Sequence, residues 1–436
     1  MSSTPDDVAP APRPRRRRGR IVLAVLLVLL LALAGAGLWG VRHLSGNLRT
    51  APVGDGGGRP ATDSWENRPV GVLVIGSDAR ESEADCKLGG ACTSTDTNGD
   101  VMLLVHLAAD RSNATVMSIP RDTMAELPTC TDAKTGTTIP AHRGMINSAL
   151  KGGPSCQASA VHRLTGIPVD HFAMVDFEGV VTMSDAIGGV PVCVDADVYD
   201  TYSHLKLSKG EHTLVGPAAL QFVRSRHAFG DGSDHGRTQA QHLFLSSMIR
   251  ELKSAGTLSD PVALYRLADA ATKAVTVDTG LGSVDKLVGL AAEGGKVPAD
   301  RITFTTMPTT ADPKDPNRLV PTPAAKTLWA KIIADESLSR PAPTASSTPG
   351  ATGASTSSGA SSPSPSTPSE SSNSTEDSTS GSGSSPSPSG TRRATTPGCA
   401  AVSPFKTVKI DGVPMTPSRA YEVGTKKGIP DSDAAS

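Results

Sequence analysis

The sequence predicts an α/β fold: a single mixed β-sheet flanked by helices on both faces, preceded by one membrane-spanning helix. Three observations predict it. Short, largely apolar runs recur at 70–76, 101–107 and 114–119, as expected of strands buried on both faces. Segments with helical spacing alternate with those runs, which is the pattern of a layered α/β domain. An uninterrupted apolar stretch from Ile21 to about Val41 follows a cluster of arginines at the N-terminus.

That apolar stretch has roughly the ~20 residues that a spanning helix needs. Arg13, Arg15, Arg16, Arg17, Arg18 and Arg20 precede it, so the basic end is expected in the cytoplasm and everything after His43 outside. A cleaved signal peptide is the competing reading, with Ala32, Ala34 and Ala36 available to a peptidase, but the run is long for a signal-peptide core. Boundaries follow from composition. Residues 1–20 are a basic tail, 21–41 the signal-anchor and 42–68 a Gly- and Pro-rich stalk. Residues 69–336 have the composition of one globular domain. Residues 337–397 are dominated by Ser, Pro, Thr and Gly and cannot bury enough apolar surface to offset ordering entropy. Residues 398–436 are too short for a core of their own.

Within the domain, Val70–Gly76, Val101–Leu107 and Ala114–Ile119 read as central strands. His171–Phe177, Val190–Val194 and Ile302–Met307 are further strand candidates. Asn147–Leu164 and Phe177–Ile187 read as helices, the second ended by Gly188-Gly189. Gly216–Arg224 carries Pro217 in its first turn, where a missing N–H does no harm. Thr238–Lys253 is amphipathic, with Leu243, Phe244, Met248, Ile249 and Leu252 expected on one face. Pro261–Val275, Val284–Ala292 and Ala324–Ile333 complete the helices.

A net charge of −1 and an exported location argue against a nucleic-acid partner. Six cysteines fit an oxidising compartment. Cys86 and Cys92 could pair, as could Cys130 and Cys156. Cys193, in an apolar strand pattern, is expected to be a buried thiol, and Cys399 stands alone after the linker. Neither the cysteines nor His106, His142, His171, His227 and His235 have zinc-site spacing. Ser77 and Ser118 lack the glycine frame of a serine-hydrolase elbow.

The most telling stretch runs from Phe222 to Gln241. It places Arg224, Arg226 and Arg237 around a Gly-Asp-Gly turn, with Asp234 among them. Neighbouring guanidiniums repel one another unless an anion sits between them, and their planar donor fork matches phosphate. Gly236-Arg237 is expected to open a helix, whose N-terminal end also favours an anion. The plainer alternative is a solvated surface cluster neutralised by Asp231 and Asp234. Two other strands end in acid–arginine pairs, Asp78 with Arg80 and Arg121 with Asp122. Asp100 stands at the entry to a third. Carboxylates beside arginines are what phosphoryl transfer uses, the former to hold a hard cation and the latter to hold anionic oxygens.

Taken in order, Val74–Arg80, Asp100–Leu107, Ser118–Thr123, Ile146–Leu150, Gly166–His171, Val175–Gly179, Asp185–Val190, Val223–Arg226 and Asp234–Gln241 carry a resemblance to the LytR–CpsA–Psr family of cell-wall ligases. It covers roughly Pro69 to Leu252. The resemblance implies a single-pass protein of a Gram-positive-type cell membrane, with its catalytic domain facing the wall. It implies transfer of a phosphate-linked glycopolymer from an undecaprenyl-pyrophosphate carrier to the C6 hydroxyl of muramic acid in peptidoglycan. Carried over by position, Asp78 and Asp100 would hold Mg²⁺. Arg121, Arg224, Arg226, Arg237 and Gln241 would hold the pyrophosphate head group, and Asp234 is the acid of the same loop. Two positions depart from the family pattern: Asn98 and Ala240 stand where many members have arginine. One head-group contact is then either missing or supplied from elsewhere, by Arg80 or Arg143, and Asp96 competes with Asp100 as the ligand, though the strand that follows favours Asp100. A polyprenyl-pyrophosphate pyrophosphatase needs the same residues. A non-catalytic anchor that binds wall polymer or lipid is the alternative from another class.

Overall fold

The computed structural model describes residues 15–52, 65, 67–77, 98–132, 135–253, 261–338, 391–394 and 398–433. Its centre is an eight-stranded mixed sheet. The strands are β1 (Arg49–Ala51), β2 (Val70–Ser77), β3 (Gly99–Leu107), β4 (Ala114–Ser118), β5 (His171–Val175), β6 (Val275–Asp278), β7 (Ile302–Thr306) and β8 (Arg392–Arg393), in the spatial order β1-β6-β5-β2-β3-β4-β7-β8. The β1/β6, β5/β2 and β4/β7 pairs are parallel and the others antiparallel.

The helices are α1 (Arg15–Asn47), α2 (Gly153–Thr165), α3 (Phe177–Ala186), α4 (Gly216–Arg224), α5 (Asp234–Lys253), α6 (Pro261–Ala274), α7 (Val284–Lys296), α8 (Pro323–Ile333) and α9 (Pro417–Lys426). They cover both sheet faces, and the strand alternation decides which residue faces which layer. Leu73, Ile75, Met102, Leu104 and Met117 pack with Ala158 and Val161 of α2 and Trp329 and Ile332 of α8. Their neighbours Val72, Leu103, Val116 and Phe304 point the other way, toward Leu245 and Ile249 of α5 and Leu290 of α7. α5 therefore divides its apolar residues. Leu243, Phe244, Met248 and Leu252 join a second core with Phe222 and Phe229, whereas Ile249, expected on that same face, packs on the sheet.

Several expectations are corrected. Val190–Val194 does not enter the main sheet; it pairs with Gly210–Leu214 in a separate ribbon. The expected helix 147–164 is divided into a 3-10 turn, Ile146–Gly152, and α2. Gly153 takes a φ of 83° there, and Pro154 has no N–H to continue the ladder. The stalk contributes β1 and the Ser/Pro-rich stretch contributes β8, each closing one sheet edge. α1 contains an apolar span long enough to cross a membrane, Val25–Asn47 among the described residues.

Cys130 is bonded to Cys156. Cys193 is not a thiol: it is bonded to Cys399, and Cys86 and Cys92 lie outside the described residues. Residues 398–433 are docked rather than loose. Ala400 pairs with Val194, Val402 pairs with Phe229, and α9 packs on Tyr199 through Ala420. Lys206 forms an ion pair with Asp431 and stacks over the Tyr421 ring.

Candidate active site

The ends of β2, β4 and β5 and the start of β3 open into one pocket of about 310 Å³. Strand ends are where open α/β sheets place ligands. Gly76 and Ser77 close β2. Antiparallel pairing sets Ser77 opposite Gly99, the first residue of β3, and Asp100 next to it lies on the pocket wall. Arg121 follows β4. Val175, Asp176 and Phe177 carry the chain from β5 into α3, where Asp176 caps the helix by accepting from the Gly179 N–H at 2.8 Å.

The remaining wall is the arginine stretch. α4 ends at Arg224. The turn after it is held by Asp200, which is fully buried. Asp200 accepts from the Ser225 hydroxyl at 2.7 Å and from the backbone N–H groups of His227 at 3.1 Å and Tyr202 at 2.9 Å. Asp231 then accepts from the Ser233 N–H and hydroxyl, and the Ser233 oxygen accepts from the His235 N–H at 3.2 Å. Ser233 therefore acts as the cap of α5, which starts at Asp234, earlier than the expected Gly236. Gly236 lets the helix pass against the Phe229 carbonyl, with which any Cβ would collide.

These elements bring Arg121, Arg224, Arg226, Arg237, Gln241 and Asp100 to the same pocket. Asp234 sits among three of the guanidiniums, 2.5 Å from Arg237, 3.8 Å from Arg121 and 3.9 Å from Arg226. Arg121 is also paired with Asp100. Arg237 donates to the Asp100 carbonyl at 3.2 Å. The Arg224 guanidinium lies 4.5 Å over the Phe177 ring, a stacking that suits its weakly hydrated plane. The Nε–H groups of Arg121, Arg226 and Arg237 are buried without a hydrogen-bond partner, a cost that a bound acceptor would remove.

Burial works against the charge on both inner arginines. For Arg121, the attraction of Asp100, Asp122 and Asp234 outweighs it, and the proton is held more firmly than usual. For Arg237 burial prevails: Asp234 and Asp100 oppose it, while Arg121 and Arg226 push further down. Of these two guanidiniums, Arg237 is the one with more to gain from an anion. Val101, Val175, Phe177, Val180, Leu220 and Val223 supply an apolar portion of the lining, and Ser77, Asp176 and Ser203 a polar one. Tyr202 and His227 stand beside it with ring centroids 4.3 Å apart. Burial pushes the His227 imidazole down; Asp200 opposes this and Arg226 adds to it.

Two expected residues have other partners. Gln241 lines the pocket, yet its amide donates to the Val223 carbonyl at 2.9 Å and so ties α5 to the end of α4. Arg143 is not at the pocket; it is paired with Asp312 at 2.6 Å. Asp78 and Arg80 lie outside the described residues. Asp200 was not singled out in the sequence, where an aspartate before Thr-Tyr-Ser reads as an ordinary turn residue.

A family model, LytR_cpsA_psr, matches residues 53–332 of this chain. The cell wall biosynthesis protein LcpA of Corynebacterium glutamicum is 31% identical over 291 residues, covering 61% of this chain and 54% of its own length. The polyisoprenyl-teichoic acid–peptidoglycan teichoic acid transferase TagT of Bacillus subtilis is 29% identical over 205 residues, covering 46% of this chain and 56% of its own. The chain thus spans about half the length of the curated relatives it matches. The solved LytR-Csp2A-Psr enzyme from Actinomyces oris aligns with a TM-score of 0.48 at 23% identity, covering 65% of this chain and 96% of that one.

Proposed function

This chain belongs to the LytR_cpsA_psr family, and from that premise we propose that it is a membrane-anchored phosphotransferase. It moves a phosphate-linked glycopolymer from a polyprenyl-pyrophosphate carrier to the C6 hydroxyl of muramic acid in peptidoglycan. One observation carries the reading: four arginines share a single pocket with six apolar side chains, Val101, Val175, Phe177, Val180, Leu220 and Val223. That combination suits an amphiphile with an anionic head and a hydrocarbon tail. The names of relatives such as TagT support the same class of reaction.

In this mechanism the pyrophosphate enters between Arg121, Arg226 and Arg237 and takes over the guanidiniums that Asp234 holds in its absence. Arg224, steadied on Phe177, completes the clamp. The muramic acid oxygen attacks the phosphorus that carries the polymer. The bond from that phosphorus to the bridging oxygen breaks, and polyprenyl phosphate leaves with the electron pair. Asp234, released by the arginines, receives the hydroxyl proton. The clamp stabilises the charge that develops on the phosphoryl oxygens, and no protein nucleophile is needed.

The donor set also bears on a cation. No group of three or more His, Cys, Asp or Glu side chains lies together among the described residues. Asp100 presents its carboxylate at the pocket wall, with Arg121 on one oxygen. A carboxylate there fits the sparse protein ligation of Mg²⁺, which takes its remaining ligands from phosphate and water; Asp78, the other expected ligand, lies outside the described residues. Bound Mg²⁺ would neutralise charge on the leaving phosphate.

The test supplies the full-length protein with Mg²⁺, a synthetic polyprenyl-pyrophosphoryl saccharide and peptidoglycan oligomers, and reads products by mass spectrometry. A saccharide–phosphate–muramic acid adduct is expected. Saccharide phosphate released without adduct would replace the ligase with a pyrophosphatase. Intact bound lipid would leave only a binding protein.

A further inference from the structure

We infer that the first turns of α6 are seated in the same bilayer that α1 crosses, making a second contact with the lipid surface. The inference rests on reading α1 as a membrane anchor. It adds a depth and an orientation for the extracytoplasmic domain.

The register between the two helices carries it. Near its end, α1 lies along α6. Asn47 donates to Asp269 at 3.0 Å and to Thr272 at 3.2 Å, and the His43 ring nitrogen is 3.2 Å from Asp269. A Cβ at Gly40 would meet the Tyr265 ring at 3.7 Å. Moving from Asn47 to Gly40 along α1 therefore moves from Thr272 to Tyr265 along α6. The helices run side by side in the same direction with the same rise per residue. The start of α6 continues past Gly40 toward the membrane, to the depth of Leu38 and Trp39.

The side chains fit that depth. Val262 is 59% exposed and Leu264 43%. Leu38, Trp39 and Val41, at the same level of α1, are exposed at 55%, 65% and 50%. The exposed apolar residues of α6 thus stand at the same level as exposed apolar residues of the anchor. Trp39 and Tyr265 are the residue types that settle at the bilayer–water boundary. Exposed Arg42 and Arg266 follow three and one residues later, on the water side, where anionic headgroups attract them.

This seating also places the pocket. α6 packs on α3 so closely that a Cβ at Gly179 would sit 2.9 Å from Ala274 Cβ. The same α3 supplies Phe177 and Val180 to the apolar wall. α3 therefore lies between the C-terminal end of α6 and the pocket, while the membrane contact is at the opposite end of α6.

The experiment incorporates a photocrosslinking amino acid in place of Val262, Leu264, Leu30 or Ile333 in the full-length protein. Each variant is reconstituted in nanodiscs of phosphatidylglycerol and phosphatidylcholine. Leu30 reports on the anchor, and Ile333, also exposed but on α8, on background. Lipid adducts at 30, 262 and 264, several-fold above those at 333, are expected. Adducts at 30 with only background at 262 and 264 would overturn the inference and leave the anchor standing. Background at 30 would overturn the anchor reading and the inference with it. Crosslinks from 262 to a second protein chain would replace the bilayer with self-association.

Discussion

Cys399 is disulfide-bonded to Cys193, 206 positions earlier in the chain, and the residues after it lie along the loop that carries Arg226. The Ala400 N–H donates to the Cys193 carbonyl at 2.7 Å, and the Gly230 N–H to the Ala401 carbonyl at 2.9 Å. The Ser403 N–H donates to the Ala228 carbonyl at 2.7 Å, and the Thr407 hydroxyl to the His227 carbonyl at 2.6 Å. Much of the outer side of the 227–230 loop is therefore bonded to a segment that the sequence separates from it by a long Ser/Pro-rich stretch.

Replacing Cys399 by Ser should cost about 2–5 kcal/mol of stability, the usual range for a native disulfide. Hydrogen exchange should show the loss locally. Amides of 227–232 should gain exchange more than those of α2, which Cys130–Cys156 secures. Uniform acceleration across the domain would mean that the bond does not restrain the loop.

Asp200→Asn should loosen the same loop from the inside. The amide would present N–H groups to donors that now share a carboxylate, and leaving one unsatisfied costs about 1–3 kcal/mol. Chemical denaturation should detect that loss. Calorimetry should find weaker binding of a short-chain polyprenyl pyrophosphate. Unchanged affinity would show that Arg224 and Arg226 keep their places without Asp200.

Gly236→Ala should be as disruptive as many core truncations despite adding one methyl. Its Cβ would collide with the backbone carbonyl of Phe229, which cannot rotate away. Either the start of α5 or the 229–230 turn must shift, moving Arg237 with it. The prediction is a lower melting temperature together with weaker pyrophosphate binding. A variant with native stability and affinity would show that the close approach is not obligatory.

His242 supplies a pH dependence. It is buried beside Phe304 with its Nε2 2.6 Å from the Ser118 hydroxyl, and its pKa is pushed down to about 4 by burial, with Arg392 adding to the shift. An unfolded chain would protonate it near the ordinary value of about 6.5. Between those values the unfolded state binds more protons, so stability falls as pH falls from about 6.5 to about 4, by about 3 kcal/mol in all. Above that window, and below it, this histidine adds no slope. Denaturation of His242→Gln across the window should show a flatter dependence. Identical slopes in the two proteins would reject the assignment.

The central sheet was legible because β2, β3 and β4 are buried on both faces and read as apolar runs. β1, β6 and β8 were missed: they are short edge or near-edge strands whose place is set by their neighbours. The arginine turn was legible because charge, glycine and spacing all fall within one stretch. Asp200 was not, since its importance lies in donors 25 and 27 positions away. The partner of Cys193 was hidden for a similar reason. Composition marks 398–436 as too small for its own core, but says nothing of the surface on which it docks. Gln241 lies in the same pocket as the arginines, though its amide holds the backbone of Val223.

The most direct test of the central claim is the rate of saccharide-phosphate transfer to peptidoglycan by Arg226→Ala and Arg226→Lys. If the arginines clamp the pyrophosphate in the transition state, Arg226→Ala should lose about 10²–10³-fold, the loss seen for comparable electrostatic donors. Arg226→Lys should recover only part, because a point charge replaces a planar fork. Transfer at the wild-type rate by folded Arg226→Ala protein would contradict the clamp.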